Sequence, residues 1–151
     1  MFADKWHYRF MEVAELIATW SKDPSTKIGA IVVGPDREIR ATGYNGVVRG
    51  VNDDIPERME RPTKYDFFEH AERNAVYNAC LTGVSLKGCV IYVTCPPCTD
   101  CARAIIQSGI KMVVTRQLPE DPNAPKGGWR EKLVYSEQMF KEAGIEYKLL
   151  P

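Results

Sequence analysis

One histidine and a cluster of cysteines constrain the fold of this chain most, because side chains far apart in the sequence must meet. His70 opens the segment His70-Ala71-Glu72, and Cys98 and Cys101 follow much later in the chain. Imidazole and thiolate groups are ligands of protein-bound zinc, and three protein ligands leave a fourth tetrahedral position for water. The pattern therefore predicts a fold that closes two distant segments around one catalytic zinc ion per chain.

Glu72 is predicted to be the proton carrier of this site. It lies two residues after His70, and its carboxylate does not belong to the sulfur-rich ligand shell. The combination of H-x-E with P-C-x-x-C is typical of zinc-dependent nucleobase deaminases, in which the glutamate is a general acid and base. The motif thus predicts hydrolytic deamination by a zinc-activated water.

Spacing alone does not fix the ligand set, since Cys95-x-x-Cys98-x-x-Cys101 contains two overlapping C-x-x-C pairs. Two prolines place Cys95 on an extended segment, whereas Cys98 and Cys101 fall on the first turn of a helix, where the dipole favours thiolate. We therefore expect Cys95 to stay unligated. The alternative is a closed site of His70 and all three cysteines, in which zinc would be purely structural.

Composition and charge narrow the functional classes. The 151 residues match the usual size of one domain, and 20 Lys and Arg offset 20 Asp and Glu. Binding to a polynucleotide normally calls for a basic excess, so no polynucleotide partner is expected.

The five cysteines suit metal ligation in a reducing compartment, and Cys80 and Cys89 are expected to be buried thiols. With no run of residues apolar enough for a bilayer, we expect a cytoplasmic protein without membrane contact.

Apolar spacing predicts a first helix that ends in the turn formers of residues 21–25. The residues expected on its buried face recur at gaps of four and three: Trp6, Phe10, Val13, Ile17 and Trp20. His7 falls outside this stripe and is expected to be exposed. Residues 28–33 and 39–43 then predict a hairpin of two strands, and Gly43-Tyr44-Asn45-Gly46 suits a loop near a ligand.

The segment from Val47 to Tyr65 has no period and is predicted to be a long loop with room for one helical turn. We expect it to serve as a lid or a subunit contact, with a solvated loop without function as the alternative. Asp66 followed by Glu69 resembles a capping box, which predicts that a helix starts just before His70. Gly83 is expected to end that helix. Its closely packed face is marked by small residues: Ala71, Ala75 and Ala79.

Strands and helices alternate in the remainder of the chain. Strands are predicted at 89–93, 112–115 and 145–149, helices at 98–108 and 132–143, and a proline-rich loop at 116–128. A hairpin followed by crossovers requires a mixed sheet with helices on both faces. We therefore predict a single α/β domain over residues 1–151, a three-layer α/β/α arrangement with a mixed five-stranded sheet.

Seven short stretches, residues 21–24, 29–30, 43–46, 70–75, 92–93, 97–102 and 105–110, resemble deoxycytidylate (dCMP) deaminases of the zinc-dependent cytidine deaminase superfamily. The zinc motifs specify the superfamily, while Asn45 and Gln107-Ser108-Gly109-Ile110 point to the deoxycytidylate branch. The resemblance implies a cytidine deaminase-like fold and conversion of dCMP to dUMP.

The resemblance also implies roles for residues outside the zinc motif. Asn45 is expected to bind the sugar 3′-hydroxyl, and the backbone of Ala71 to help hold the base. Tyr44, Gly46 and Val47 are expected to border a regulatory site for dCTP as activator and dTTP as inhibitor, with Mg²⁺ accompanying the triphosphate. Members of the family are commonly hexamers, so a homo-oligomer is expected.

The cation that holds the substrate phosphate is less constrained. Lys27 follows two hydroxyl residues at the start of the first strand, and such clusters suit phosphate oxygens. Arg103 and Arg116 are alternatives. Other deaminases of the superfamily, acting on cytidine, guanine or tRNA adenosine, use the same zinc chemistry and are the nearest alternative functions, ahead of a structural zinc module.

Overall fold

The structure, a computed structural model, describes residues 2–151. Its helices are α1 (Asp4–Ala18), α2 (Lys64–Phe67), α3 (Ala71–Thr82), α4 (Thr99–Gln107) and α5 (Leu133–Glu142). Its strands are β1 (Gly29–Val33), β2 (Ile39–Tyr44), β3 (Gly46–Val47), β4 (Phe68–Glu69), β5 (Val90–Val93), β6 (Met112–Arg116) and β7 (Glu146–Leu150). Among the described residues, none of the helices has the length and apolarity that crossing a membrane requires.

The main sheet has five strands in the order β2-β1-β5-β6-β7. β1 is antiparallel to both β2 and β5, whereas β5, β6 and β7 run parallel to one another. The hairpin therefore forms one edge, and helical crossovers build the parallel part. This confirms the predicted mixed sheet.

Alternate residues of the central strands face two separate cores. Ile31 and Tyr92 pack with α1 on one face, while Val32 and Ile91 pack with α3, α4 and α5 on the other. Complete burial of an aliphatic side chain such as Ile31 stabilises the fold by about 1.5–3 kcal/mol. Helices thus cover both faces of the sheet, and the three-layer α/β/α prediction is confirmed.

The buried face of α1 is rotated from the predicted one. His7 is 3% exposed, so the prediction that it is exposed was wrong, and Trp20, predicted to be buried, is 56% exposed. A Cβ on Gly29 would lie only 2.1 Å from the carbonyl oxygen of Ala14 and 2.5 Å from the amide nitrogen of Ala18. The small side chains of Ala14 and Ala18 allow this close approach to β1, so they define the contact face and carry His7 inward.

The segment before α3 also differs from its prediction. β2 extends through Tyr44, and β3 pairs with β4 immediately before His70. Asp66 lies inside the short α2, and no side chain caps α3, so the predicted capping box was wrong. Strand pairing of Phe68 and Glu69 holds the chain extended up to His70, which separates α2 from α3.

The predicted end of α3 is confirmed, whereas the predicted burial of the two remaining cysteines is confirmed for only one of them. Gly83 adopts a left-handed conformation (φ 70°) and ends α3, as predicted. Cys89 is buried as predicted, but Cys80 is exposed because it lies on the outer face of α3, beside the buried Ala79.

Candidate active site

Both metal-ligating segments reach the site as extended chain that ends at a helix N-terminus. His70 (φ −78°, ψ 153°) directly precedes α3, and Cys98 (φ −65°, ψ 172°) directly precedes α4. Cys101 lies in the first turn of α4 and is fully buried. The free N–H groups and the positive dipole end of a helix favour negative charge, so thiolates are stabilised at this position.

The three side chains form one compact donor group. Nδ1 of His70 lies 3.4 Å from Sγ of Cys98 and 3.4 Å from Sγ of Cys101. All three ligand atoms lie within 4.8 Å of one another. Tetrahedral zinc with bonds of about 2.3 Å to sulfur and about 2.0 Å to nitrogen separates these atoms by about 3.5 Å. The donor set and its spacing therefore fit Zn²⁺.

Hydrogen bonding in this group favours the thiolate that metal ligation requires. Cys101 and His70 donate to Cys98, which outweighs the effect of burial and lowers the pKa of Cys98 to about 4. The hydrogen bond to Cys98 in turn raises the pKa of Cys101. The hydrogen bond with Cys98 also raises the pKa of His70.

Arg73 connects the two segments that supply the ligands. Its Nε donates to Oε1 of Glu69 at 2.6 Å, and the same oxygen accepts the backbone N–H of His70 at 3.0 Å. Its Nη1 lies 3.7 Å from Oδ2 of Asp100, which stands between Cys98 and Cys101 in the sequence. Sequence reasoning missed this arginine, although its position directly after Glu72 places it near the metal group.

Glu72 is buried at the edge of the donor group. It is 4% exposed, and burial raises the pKa of its carboxyl, partly offset by hydrogen bonding to Cys101. A carboxylate with a raised pKa in a dry site is suited to carrying protons near neutral pH. Its function as the proton carrier stays a prediction.

Cys95 does not belong to the group of mutually close ligand atoms. The side chain is half-buried, and burial raises its pKa to about 12, so it is a protonated thiol at neutral pH. This arrangement favours the open three-ligand site over the closed one. That Cys95 stays unligated remains a prediction.

The chain on either side of Asn45 contacts the segment around His70. A Cβ on Gly43 would lie 2.3 Å from the carbonyl oxygen of Ala71, so the end of β2 is pressed against the start of α3. On the other side of Asn45, Gly46 pairs with Glu69. Asn45 is thus held between two contacts with the segment that contains His70.

The side chain of Asn45 is hydrogen-bonded to a buried ion pair. Nδ2 of Asn45 donates to Oδ2 of Asp23 at 3.2 Å, and Nζ of Lys64 lies 2.7 Å from the same carboxylate oxygen. Burial alone would raise the pKa of Asp23, but Lys64 and the backbone N–H groups of Ser25 and Thr26 hold it below its ordinary value. Asp23 therefore remains a carboxylate.

The three candidate phosphate cations differ in their partners. Arg103 pairs with Asp100, and Nε of Arg116 lies 2.8 Å from Oε1 of Glu15. Lys27 is exposed and forms no ion pair within residues 2–151. Its ammonium group is thus the most available of the three.

An open groove of about 640 Å³ lies along the outer face of α3. Tyr44, Gly46 and Val47 line one side, and Tyr77 and Leu81 line the other. The structure therefore brings together the three residues expected at a regulatory site, on the surface beside the end of β2.

Comparison with known proteins decides the family. Residues 4–117 match the family model described as the cytidine and deoxycytidylate deaminase zinc-binding region. The chain belongs to the cytidine and deoxycytidylate deaminase family. This membership confirms the family expected from the sequence and identifies the chain as a zinc-dependent deaminase.

Relatives in this deaminase family match nearly the whole chain. An uncharacterised deaminase in the luxG 3′ region of Aliivibrio fischeri is 43% identical over 147 residues, covering 97% of this chain and 95% of the relative. The deoxycytidylate deaminase of Mus musculus is 38% identical over 149 residues, covering 95% and 79%. The dCMP deaminase of cyanophage S-TIM5, solved with dCMP and dUMP, has a TM-score of 0.79 at 25% identity, covering 99% of this chain and 100% of that chain.

Proposed function

We propose that residues 1–151 act as one cytoplasmic deaminase domain that hydrolyses dCMP to dUMP and ammonia. The observation that carries this proposal is the group of His70, Cys98 and Cys101 beside a buried Glu72. The substrate is supported by the relatives, since the mouse protein is a deoxycytidylate deaminase and the cyanophage enzyme binds dCMP and dUMP.

The chain's own residues account for the proton transfers. Bound zinc supplies Lewis acidity that lowers the pKa of a water molecule toward neutrality. The carboxylate of Glu72 accepts a proton from this water and donates it to N3 of cytosine while the water oxygen attacks C4. Glu72 then accepts the remaining proton from the new C4 hydroxyl and delivers it to the amine, so that the C4–N4 bond breaks, the C4 carbonyl forms, and ammonia and the uracil base remain.

Two neighbouring residues orient the nucleotide in this proposal. Asn45 binds the sugar 3′-hydroxyl, and the backbone of Ala71, at the start of α3, helps to hold the base. Their positions on either side of the contact between β2 and α3 support these roles. A base held at this contact lies next to both His70 and Glu72.

Ammonia release from a panel of substrates tests the proposal. The zinc-loaded protein is assayed with dCMP, deoxycytidine, dCTP, cytidine, guanine and tRNA under identical conditions. We expect dCMP to have the highest kcat/KM. A higher value for another compound would instead assign the protein to a different branch of the superfamily, and no ammonia from any of them would favour the structural zinc module.

Lys27 is our first choice for the substrate phosphate, because it is exposed and is not engaged in an ion pair among the described residues. Replacing Lys27 by Ala should raise KM for dCMP by about tenfold, as expected for loss of a charge-assisted contact, while KM for deoxycytidine changes little. Lys141→Ala, on the surface of α5, is the matched control. Equal KM values for dCMP in the wild type and Lys27→Ala would exclude Lys27.

We further propose that dCTP with Mg²⁺ activates the enzyme and that dTTP inhibits it, through the groove lined by Tyr44, Gly46 and Val47. Aromatic and backbone groups on one wall of an open groove are suited to a nucleotide, which supports this assignment. Rate curves against dCMP, measured with and without each triphosphate, test it. Tyr44→Ala should abolish the response to dCTP and dTTP while leaving the unregulated rate in place.

A homohexamer is proposed as the assembly. The groove is rimmed by exposed apolar side chains, among them Val48, Val51 and Leu81, which suit a subunit contact. Light scattering on the purified protein tests the assembly directly. A mass of one 17.1 kDa chain would contradict it.

A further inference from the structure

Three cationic side chains converge on the indole ring of Trp6. Cζ of Arg37 and Cζ of Arg9 lie over the ring, 4.5 Å and 4.8 Å from its centroid, and Nζ of Lys5 lies 6.0 Å from it. Lys5, Trp6 and Arg9 belong to the first turns of α1, whereas Arg37 comes from the turn between β1 and β2. The fold therefore gathers positive charge from two segments at one point of the surface.

No acidic side chain among the described residues pairs with these cations. All three are exposed, and none of them forms an ion pair within residues 2–151. The neighbouring acidic side chains Asp4 and Glu38 pair instead with Lys148 and Arg40. Asp36 forms no ion pair with the three cations either. Their charge is therefore available to an anion from outside the chain.

Stacking on the Trp6 ring leaves the hydrogen-bond donors of both arginines free. A guanidinium has five N–H donors in its plane, and stacking on an aromatic ring uses the face of that plane. Neither Arg9 nor Arg37 donates to an acceptor within residues 2–151, unlike the arginines that do. Such guanidinium edges suit phosphate oxygens, which they bind through pairs of parallel hydrogen bonds.

The backbone at Arg37 indicates a role for its side chain. Its φ of 66° lies in the left-handed region, and within residues 2–151 it is the only residue other than glycine with a positive φ. This conformation is unfavourable for arginine, because Cβ comes too close to the following carbonyl oxygen, whereas glycine adopts it freely. Backbone strain of this kind is typically found at functional positions. Here it accompanies a side chain that lies over Trp6.

The cluster lies at the end of the main sheet opposite the metal centre. β1 ends at Val33, which pairs with Val90 at the start of β5, so the turn that carries Arg37 is at this end. Cys98 follows the other end of β5. Tyr44, which lines the groove on the outer face of α3, pairs with Gly29 at the far end of β1. The cluster is thus distinct from both the active site and that groove.

We propose that Lys5, Arg9 and Arg37 form a binding site for a small polyphosphate anion around Trp6. Three cations match the charge of a diphosphate or triphosphate group, whereas a chain of zero formal net charge is poorly suited to a polynucleotide. Because the arginines lie over the Trp6 ring, the site recognises the phosphates rather than a stacked base. A nucleoside triphosphate and inorganic polyphosphate share this chemistry.

Trp6 fluorescence measures binding at this site. In the zinc-loaded chain with the exposed Trp20 and Trp129 replaced by Phe, Trp6 is the only tryptophan. Tripolyphosphate, ATP and orthophosphate are each titrated at low salt without Mg²⁺. We expect saturable changes with tripolyphosphate and ATP, the tighter of which identifies the source of the phosphates. Orthophosphate should have a Kd at least about tenfold higher, because it carries fewer charges. Calorimetric titration of the unaltered chain provides the same comparison without the Phe substitutions.

Variants assign the binding to the two arginines. Arg37→Gly places at the left-handed position the residue that prefers it, so Tm should change little while the Kd for tripolyphosphate rises by about tenfold or more. Arg9→Gln should raise that Kd equally. Arg61→Gln is the matched control, since Arg61 is exposed and lies 5.9 Å from the ring of Tyr65, and it should leave the Kd within about threefold.

Three results would overturn the inference. The first is the absence of saturable binding by tripolyphosphate and ATP in both the Trp6 fluorescence and the calorimetric titrations. The second is an orthophosphate Kd equal to that of tripolyphosphate, which would show that the site does not select polyphosphate. The third is an unchanged Kd for tripolyphosphate in Arg37→Gly and Arg9→Gln, which would leave the stacked arginines only the task of fastening the turn to α1.

Discussion

The ammonium group of Lys64 lies 2.7 Å from the carboxylate of Asp23, and these side chains are only 8% and 3% exposed. Lys64 begins α2, within the long segment between β3 and β4, whereas Asp23 follows α1. The pair therefore joins the segment that contains α2 to the loop that follows α1. Asp23 in turn holds Asn45, so one buried ion pair supports a residue beside the metal centre.

Removal of Lys64 should destabilise the fold strongly. Lys64→Met leaves a buried carboxylate without its counter-ion, which typically costs about 3–5 kcal/mol of unfolding free energy. Urea denaturation measures the change. The double variant Asp23→Asn/Lys64→Met should recover part of it, because no buried charge remains.

The exposed ion pair between Lys22 and Asp53 provides the control for Lys64. Lys22 is 61% exposed and lies 3.0 Å from Asp53. Lys22→Met should leave the unfolding free energy nearly unchanged, because an ion pair in contact with water contributes little. Equal losses in Lys22→Met and Lys64→Met would contradict the anchoring role of the buried pair.

His7 should make the stability of the fold depend on pH. Its Nδ1 lies 2.9 Å from the hydroxyl of Tyr92, and burial, reinforced by Lys148 and opposed by Asp4, lowers its pKa below the ordinary 6.5. The unfolded chain therefore binds the proton more readily than the folded one. The stabilisation contributed by neutral His7 is complete above pH 6.5 and is lost as the pH falls from there toward the folded pKa.

Comparison with His7→Gln isolates this effect, since glutamine can keep a hydrogen bond to Tyr92 but does not titrate. Between pH 7.5 and about pH 5, the unfolding free energy of the wild type should fall more than that of the variant. Parallel pH curves for the two proteins would show that His7 is not the titrating group.

Arg73 should strengthen zinc binding by joining the segments that provide the ligands. Arg73→Leu removes its contacts with Glu69 and Asp100, and loss of such supporting contacts commonly lowers metal affinity by about 10–100-fold. Competition with a chromophoric chelator measures the affinity. Arg103→Leu is the control, since Arg103 pairs with Asp100 but is 58% exposed, and it should leave the affinity nearly unchanged.

Cys95 should be dispensable for zinc, in contrast to Cys98. Purified Cys95→Ala is expected to retain about one zinc ion per chain, because its sulfur lies outside the donor group, while Cys98→Ala should lose the metal. Elemental analysis of both proteins distinguishes the outcomes. Loss of zinc from Cys95→Ala would favour a closed structural site.

The metal group could be predicted because its chemistry is local to each segment. His70 precedes one helix and Cys98 another, and the residue types at the two helix starts specify the metal without knowledge of the packing. The order of strands and helices likewise predicts the mixed sheet. Both predictions depend on patterns within short windows of sequence.

The features that could not be predicted from the sequence depend on contacts between residues far apart in the chain. Nothing in the sequence near Lys64 indicates that it binds Asp23. The buried face of α1 was predicted wrongly because Gly29 of β1 lies against the small residues Ala14 and Ala18, and this contact cannot be read from the apolar spacing. His7 does lie one and two helical turns before Met11 and Ala14, a spacing that would have placed it on the buried face. The apolar stripe that includes Trp6 outweighed this signal.

The central claim is that Glu72 carries protons in an open zinc site, and ammonia release by Glu72→Gln at matched zinc content tests it most directly. Glutamine keeps the shape of the side chain but cannot carry the proton. We predict that kcat with dCMP falls by about 10²–10⁴-fold while the variant stays folded and binds zinc as the wild type does. A zinc-loaded Glu72→Gln protein that releases ammonia at the wild-type rate would contradict the account.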